Sequence, residues 1–166
     1  MNVDFYLVDE AYLDYLRSFD ARVSENHDAG NERPFVAILA SCLGIDYLIP
    51  LTHHTKKKNL GIFPLKIIHA THIENLGTLL INNMIPFRSD VATQFAIEAV
   101  TDEKYRGLLR KQWSILRDVD FQHRLEKAVH QAYRFQKNPL NKANPLLNIF
   151  IDYAKIEKAA TAYLKK

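Results

Sequence analysis

The residues best suited to chemistry follow one another in the order Thr52-His53-His54-Thr55-Lys56-Lys57-Lys58. Within seven positions they offer two hydroxyls, two imidazoles and three ammonium groups. Imidazoles transfer protons near neutral pH, whereas hydroxyl and ammonium groups stabilise negative charge on phosphoryl oxygens. The segment is therefore equipped to bind a phosphate and to move protons around it.

An alternating strand leads into this segment. Apolar side chains recur at every second position from Ile45 to Leu51, and Pro50 favours a place near a sheet edge. An unbroken apolar run at 35–40 precedes this strand, and Gly44 offers a turn between the two. Two successive strands joined by a short turn predict an antiparallel hairpin.

The composition is typical of a globular protein with a core. The chain has 166 residues, 48% hydrophobic and 25% charged, which predicts a single domain over 1–166. Its apolar runs are too short to cross a bilayer, and Asp4 is acidic where a secretory signal is basic, so we expect a cytoplasmic protein without membrane contact. The single cysteine, Cys42, excludes an internal disulfide. A formal net charge of +3 is compatible with a polyanionic partner.

The two halves of the chain differ in periodicity. The first half predicts strands at 3–8, 62–68 and 78–81, with a polar segment at 69–77, and one helix from Asp9 to about Phe19. The second half repeats apolar residues at helical spacing over 101–118, resumes after a break near Val119, and ends in one or two helices within 147–164. Strands followed by helices predict an α+β fold.

Several short motifs, in this order, resemble those of a known family. On their basis the chain resembles the ToxN/AbiQ family, endoribonuclease toxins of type III toxin–antitoxin and phage-abortive systems, over nearly its whole length. The motifs are Phe5-Tyr6, Tyr12, Tyr15-Leu16, Phe19-Asp20, Val23, Pro34-Phe35-Val36, Tyr47, Pro50-Leu51-Thr52, Leu76-Gly77, Met84-Ile85-Pro86 and Tyr105-Arg106-Gly107-Leu108-Leu109-Arg110-Lys111-Gln112.

The resemblance implies a fold and an activity. The implied fold is a strongly twisted antiparallel β-sheet with a barrel-like core, flanked by about four helices. The implied activity is metal-independent RNA cleavage, without a cofactor, on cellular and phage mRNA. The implied partner is a repeated pseudoknot antitoxin RNA, which inhibits the toxin, is processed by it, and joins it in a closed toxin–RNA oligomer.

The resemblance also implies a catalytic set. The family's catalytic loop commonly reads Thr-Ser followed shortly by Lys; here Thr52 is kept, His53 occupies the serine position, and the lysine is Lys56 or Lys57. We assign His53 as general base or acid, the lysine as the group that stabilises charge, and Thr52 as a hydrogen-bond donor to the phosphate.

Further residues are assigned to RNA binding. Tyr12 and Arg33 fall where the family has a tyrosine and a basic residue lining the groove, although Tyr12 and Tyr47 are core residues by default. Tyr47 is alternatively a residue that stacks on bases. Gln112 is either a buried strut or an RNA contact. The remaining candidates are His54, Lys58 and Lys111.

Two other classes of function remain open. The basic loop fits a non-catalytic RNA-binding module that only grips phosphates. A metal-dependent nuclease is the other class, with His53, His54, His69 and His72 as its ligands. His69, His72 and Glu74 also match a zinc site, but polar decoration of a loop accounts for the same residues.

Overall fold

The computed structural model describes residues 3–25, 27–28, 31–32, 35–42, 44–54 and 59–164. Within them, the strands are β1 (Asp4–Val8), β2 (His27–Asp28), β3 (Asn31–Glu32), β4 (Phe35–Cys42), β5 (Ile45–Thr52), β6 (Ile62–Ile68), β7 (Ile73–Leu80), β8 (Ile85–Pro86) and β9 (Ala92–Gln94). The α-helices are α1 (Glu10–Arg17), α2 (Glu103–Leu116), α3 (Val119–Lys137) and α4 (Tyr153–Ala162), and short 3-10 turns connect several elements.

One antiparallel sheet organises the molecule, in the strand order β6-β7-β5-β4-β1-β9. β4 lies along one side of β5, and on the other side β8 pairs with its first half and β7 with its end. β2 and β3 form a separate two-stranded ladder. The sheet and helices confirm the α+β prediction. Among the strands described, the edges β6 and β9 do not pair, so "barrel-like" is too loose a term for this open sheet.

The predicted hairpin before the reactive segment is present. β4 and β5 pair antiparallel from Phe35–Pro50 to Cys42–Ile45. Gly44 lies between them with a φ of +82°, a left-handed conformation that glycine adopts without a steric penalty. This hairpin fixes where the reactive segment begins.

The next hairpin is longer than the sequence predicts. β6 has the predicted bounds, but β7 begins at Ile73, inside the segment predicted as polar loop. Ile68 and Ile73 face each other across the tip and are 80% and 54% exposed. Because this end of the hairpin extends into solvent, the alternation that marks a half-buried strand is missing from it.

The helices cover the sheet as their apolar spacing predicts. Asp102 and Asp118 cap α2 and α3 by accepting hydrogen bonds from the amides of Tyr105 and Phe121 at 2.9 and 2.7 Å. The break near Val119 is therefore a helix start. α2 packs against β7, α3 against β4 and α4 against β8. No helix among the residues described is both long and apolar enough to span a bilayer.

Candidate functional site at the end of β5

Thr52 is the last residue of β5 and lies inside the fold. It is 4% exposed, and it pairs with Thr78 of β7. β5 and β6 both run antiparallel to β7, so they are parallel to each other. The connection from β5 to β6 therefore joins two parallel strands that lie on opposite sides of β7, so it is a crossover connection and not a tight turn. The reactive segment belongs to this crossover.

Two hydrogen bonds hold the start of the crossover. The His54 amide donates to the Thr52 hydroxyl oxygen at 3.3 Å, and the Thr78 hydroxyl donates to the His54 carbonyl at 2.8 Å. His53 and His54 are exposed, and their ring centroids are 4.0 Å apart. In the first of these bonds the Thr52 hydroxyl is the acceptor, and a hydroxyl can accept one hydrogen bond while donating its own proton to another group. A buried threonine pair thus presents two solvent-facing imidazoles.

Gly77 allows β7 to approach this turn closely. Its φ of +126° is one that side-chain-bearing residues rarely adopt, and a Cβ atom there would collide with the carbonyl oxygen of Thr52. The same Cβ atom would lie 3.2 Å from Nε2 of Gln112 and 3.4 Å from the Cα atom of His53. The lack of a side chain at Gly77 therefore sets the distance between β7 and the turn.

Gln112 braces the same region from α2. It is 2% exposed, and its Nε2 donates to the carbonyl oxygen of Leu76. Leu76 is the extra residue of a bulge, because Leu65 pairs with Gly77 and Lys66 with Asn75. Gln112 is thus the buried strut, and no surface is left for a direct RNA contact. Its Oε1 is buried without a hydrogen-bond partner in the part of the chain described.

Lys111, the neighbouring candidate, is held by a carboxylate. Its Nζ atom is 2.6 Å from Oε1 of Glu74, and Nε2 of His69 is 3.2 Å from Oε2 of the same carboxylate. The hydrogen bond from Lys111, and secondly that with His69, lowers the pKa of Glu74. Lys111 remains half-exposed but already has a counterion.

The histidines proposed as zinc ligands stack on each other. The rings of His69 and His72 lie 4.4 Å apart at an interplanar angle of 14°. Parallel rings do not converge on one ion as tetrahedral zinc ligands must. Over the ranges described, no three His, Cys, Asp or Glu residues are grouped to hold a metal ion.

The two tyrosines assigned to RNA binding are core residues. Tyr12 is fully buried and donates to the Pro86 carbonyl at 3.3 Å, and Tyr47 is 1% exposed and donates to Oε1 of Glu157 at 2.6 Å. Burial is the first cause that raises the pKa of both hydroxyls. Neither ring has a free face on which a base could stack, which favours the default role of Tyr12 and Tyr47 as core residues over their predicted role in RNA binding.

Four assigned residues, Arg33, Lys56, Lys57 and Lys58, lie outside the residues described. The structure therefore brings together Thr52, His53 and His54, with the buried Gln112 beneath them. It adds Gly77 and Thr78, to which sequence reasoning gave no role. The signal that could have found them was Gly77 immediately before the strand predicted at 78–81, since a glycine in a strand often marks a bulge or a close backbone approach.

Comparison with known proteins gives consistent matches. Residues 4–161 match the family model described as Toxin ToxN, type III toxin-antitoxin system. Endoribonuclease ToxN of Bacillus thuringiensis subsp. kurstaki is 29% identical over 170 residues, covering 99% of this chain and 86% of the relative. Endoribonuclease AbiQ of Lactococcus lactis subsp. lactis is 26% identical over 176 residues, covering 100% of this chain and 92% of the relative.

Solved structures match over the full length. One, from a bacterial type III toxin–antitoxin system with selective toxin inhibition by a non-coding RNA pseudoknot, superposes with a TM-score of 0.83 at 28% identity. The other, AbiQ, a lactococcal anti-phage endoribonuclease, superposes with a TM-score of 0.81 at 21% identity, and supports the fold. Each match covers 100% of both chains.

Proposed function

The chain belongs to the ToxN family of type III toxin–antitoxin toxins, and on that premise we propose that it is an endoribonuclease that cuts RNA at the end of β5. One observation carries the proposal. The turn from Thr52 to His54 is fixed by a buried threonine pair, and it exposes two imidazoles that only Thr55 separates from three lysines in the sequence.

The proposed reaction needs no metal ion. The ribose 2′-oxygen loses its proton and attacks the adjacent phosphorus, while the bond from phosphorus to the 5′-oxygen breaks and that oxygen takes up a proton. The products are a 2′,3′-cyclic phosphate and a 5′-hydroxyl. Such a step requires a base, an acid and a group that stabilises charge on the phosphoryl oxygens.

The residues divide these tasks by chemistry. His53 is exposed and carries an imidazole, so it is the general base or acid. Lys56 or Lys57 stabilises the phosphoryl charge, because a lysine remains a cation at neutral pH. Thr52 donates its hydroxyl proton to the phosphate. Arg33 positions the RNA strand.

Other polar residues contribute to binding. His54 lies between the proposed catalytic residues His53 and Lys56 in the sequence, and Lys58 follows Lys57. Lys111 is paired with the Glu74 carboxylate, so it contacts RNA only when a phosphate replaces that carboxylate as its ion-pair partner. Gln112 acts through the turn that it braces, as a positioning residue.

The proposed partner is an inhibitory RNA. The matched toxin structure comes from a system in which a non-coding RNA pseudoknot inhibits the toxin selectively. By analogy, we propose that a repeated pseudoknot RNA inhibits this protein, is processed by it and assembles with it into a closed oligomer. Free toxin would then act in the cytoplasm on cellular and phage mRNA.

Analysis of product ends tests this proposal. Purified protein is incubated with RNA in EDTA, and the new ends are identified by their reactivity with polynucleotide kinase and phosphatase. We expect cleavage with cyclic-phosphate and 5′-hydroxyl ends. Binding without cleavage would indicate the non-catalytic module, and cleavage that EDTA abolishes would indicate a metal-dependent nuclease; either result would overturn the proposed mechanism.

A further inference from the structure

The exposed face of α3 carries cations that the fold does not neutralise. Five arginines elsewhere each contact a carboxylate: Arg17, Arg22, Arg88, Arg106 and Arg110. On α3, by contrast, Arg124, Lys127 and Arg134 form no ion pair with any residue that the structure describes. We call these three residues the α3 stripe.

The stripe has the geometry of an extended track. Its members are spaced three and seven residues apart, which places them on one side of the helix. From Arg124 to Arg134 the helix rises about 15 Å. Arg124 also donates to the carbonyl oxygen of Asp120 at 3.3 Å, and its guanidinium lies 5.7 Å from the ring centroid of Phe121. Its charge is thus held near the helix surface.

Two adjoining cavities lie along the α3 stripe, and Lys127 and Gln131 line both of them. The first, of about 430 Å³, lies between Asn59, Leu60 and Phe63 on one side and Arg124 and Lys127 on the other. The second, of about 380 Å³, is lined by residues of α3 between His123 and Arg134.

The charged residues that line the two cavities favour an anion. They are the three cations of the stripe and Glu126, a net charge of 3 − 1 = +2 with histidines neutral. His130 also lines the second cavity, and its buried Nε2 has no hydrogen-bond partner among the residues described.

The first cavity lies beside the proposed cleavage centre. Asn59 directly follows Lys58 in the chain. Phe63 and Leu51 both pair with Leu79, one on each side of β7. The Cα atoms of Phe63 and Leu51 are therefore two strand spacings apart, about 10 Å. Leu51 immediately precedes Thr52. A single RNA strand can therefore reach from the end of β5 into the cavity.

From this arrangement we propose that the α3 stripe is a phosphate-binding subsite for the RNA strand that is cut at the end of β5. The inference rests on the proposed function, and it identifies where the strand runs beyond the cleaved bond. Single-stranded RNA fits better than a discrete small anion, because the cations are spread along the helix. Backbone contacts of this kind bind RNA without reading its sequence.

The test compares two charge-matched variants. Arg124→Gln/Lys127→Gln/Arg134→Gln removes the stripe, and Lys104→Gln/Lys155→Gln/Lys158→Gln removes three exposed lysines elsewhere. Glutamine is a good helix former, so α3 is expected to fold in both, and circular dichroism checks this. The probe is a fluorescent, mixed-sequence, 2′-O-methylated single-stranded RNA, which binds but cannot form the cyclic phosphate.

We expect the stripe variant to bind this RNA at least about tenfold more weakly than wild type at moderate salt. The slope of log K against log salt concentration should become shallower by about 2, because single strands contribute about 0.7 per phosphate contact. With cleavable RNA, KM should rise while kcat stays near the wild-type value. The control variant should retain most of the affinity and most of the salt slope.

The outcomes separate the inference from the function on which it rests. If wild type cleaves RNA and the stripe variant binds the RNA probe no worse than the control variant does, the inference is overturned. That result is the one expected if the stripe binds an acidic protein instead. If wild type neither binds nor cleaves RNA, the proposed function fails as well.

Discussion

The hydroxyl of Thr78 donates to the carbonyl oxygen of His54 at 2.8 Å, and so ties the start of the β5–β6 crossover to β7. The same turn is held from within by the bond from the His54 amide to Thr52. The backbone that carries the imidazoles is therefore held in place by strand residues. A general base must be held within hydrogen-bond reach of its proton, and a loosened turn loses this geometry.

Replacing Thr78 tests this tie. Thr78→Val keeps the shape of the side chain and removes the donor, so we expect a loss of stability of about 1 kcal/mol. The rate of RNA cleavage should fall about tenfold, because misplaced catalytic groups cost rate. Thr93→Val, the same change at an exposed position of β9, is the control. Equal single-turnover rates for the two variants would contradict the positioning role.

Two glycines should respond to alanine with opposite signs. Gly77→Ala places a Cβ atom against the carbonyl of Thr52 at a strained φ, so we expect destabilisation by about 1–3 kcal/mol. Gly107→Ala lies inside α2, where no atom outside the helix backbone approaches within 4 Å, and should stabilise by about 0.5–1 kcal/mol. Urea unfolding measures both. A neutral Gly77→Ala would contradict the close approach of β7.

The core position of Tyr47 predicts a change in stability without a change in activity. Tyr47→Phe removes the bond to Glu157, which keeps its contact with Lys137 at 2.5 Å, and should cost about 1 kcal/mol. Tyr6→Phe is the control, because its hydroxyl has no hydrogen bond within the ranges described. RNA affinity should match wild type in both variants. A selective loss of affinity in Tyr47→Phe would restore the RNA-binding assignment.

The Lys111–Glu74 contact predicts the direction of a titration. Because Lys111 is the larger cause of the lowered pKa of Glu74, Lys111→Gln should raise that pKa more than His69→Gln does. A lowered carboxyl pKa stabilises the fold above the ordinary carboxyl value, and this contribution is lost as pH falls through the lowered pKa. Carboxyl-detected NMR titration follows Glu74 directly. A larger shift in His69→Gln would reverse the assigned order.

Local patterns predicted much of the fold, because local rules govern those parts. Gly44 between two apolar runs predicted the β4–β5 hairpin, and the break in helical spacing near Val119 predicted the boundary between α2 and α3. The start of β7 was missed because Ile73 extends into solvent, so burial leaves no alternation there.

The candidate site was only partly predictable for a different reason. The run after Thr52 is visible as a cluster of residue types, but its supports are distant in sequence. Thr78 lies 24 residues from His54, and Gln112 lies 36 residues from Leu76. No periodicity encodes such contacts. The resemblance gave Tyr12 an RNA-binding role, whereas its hydroxyl bonds to Pro86 in the core.

The single-turnover rate of RNA cleavage by His53→Ala tests the central claim most directly. Wild type, His53→Ala and the exposed control His72→Ala are compared in EDTA with saturating protein and matched thermal stability. We expect His53→Ala to be slower by about 100-fold or more, with RNA affinity near wild type, and His72→Ala to keep the wild-type rate. Undiminished cleavage by a folded His53→Ala protein would contradict the account.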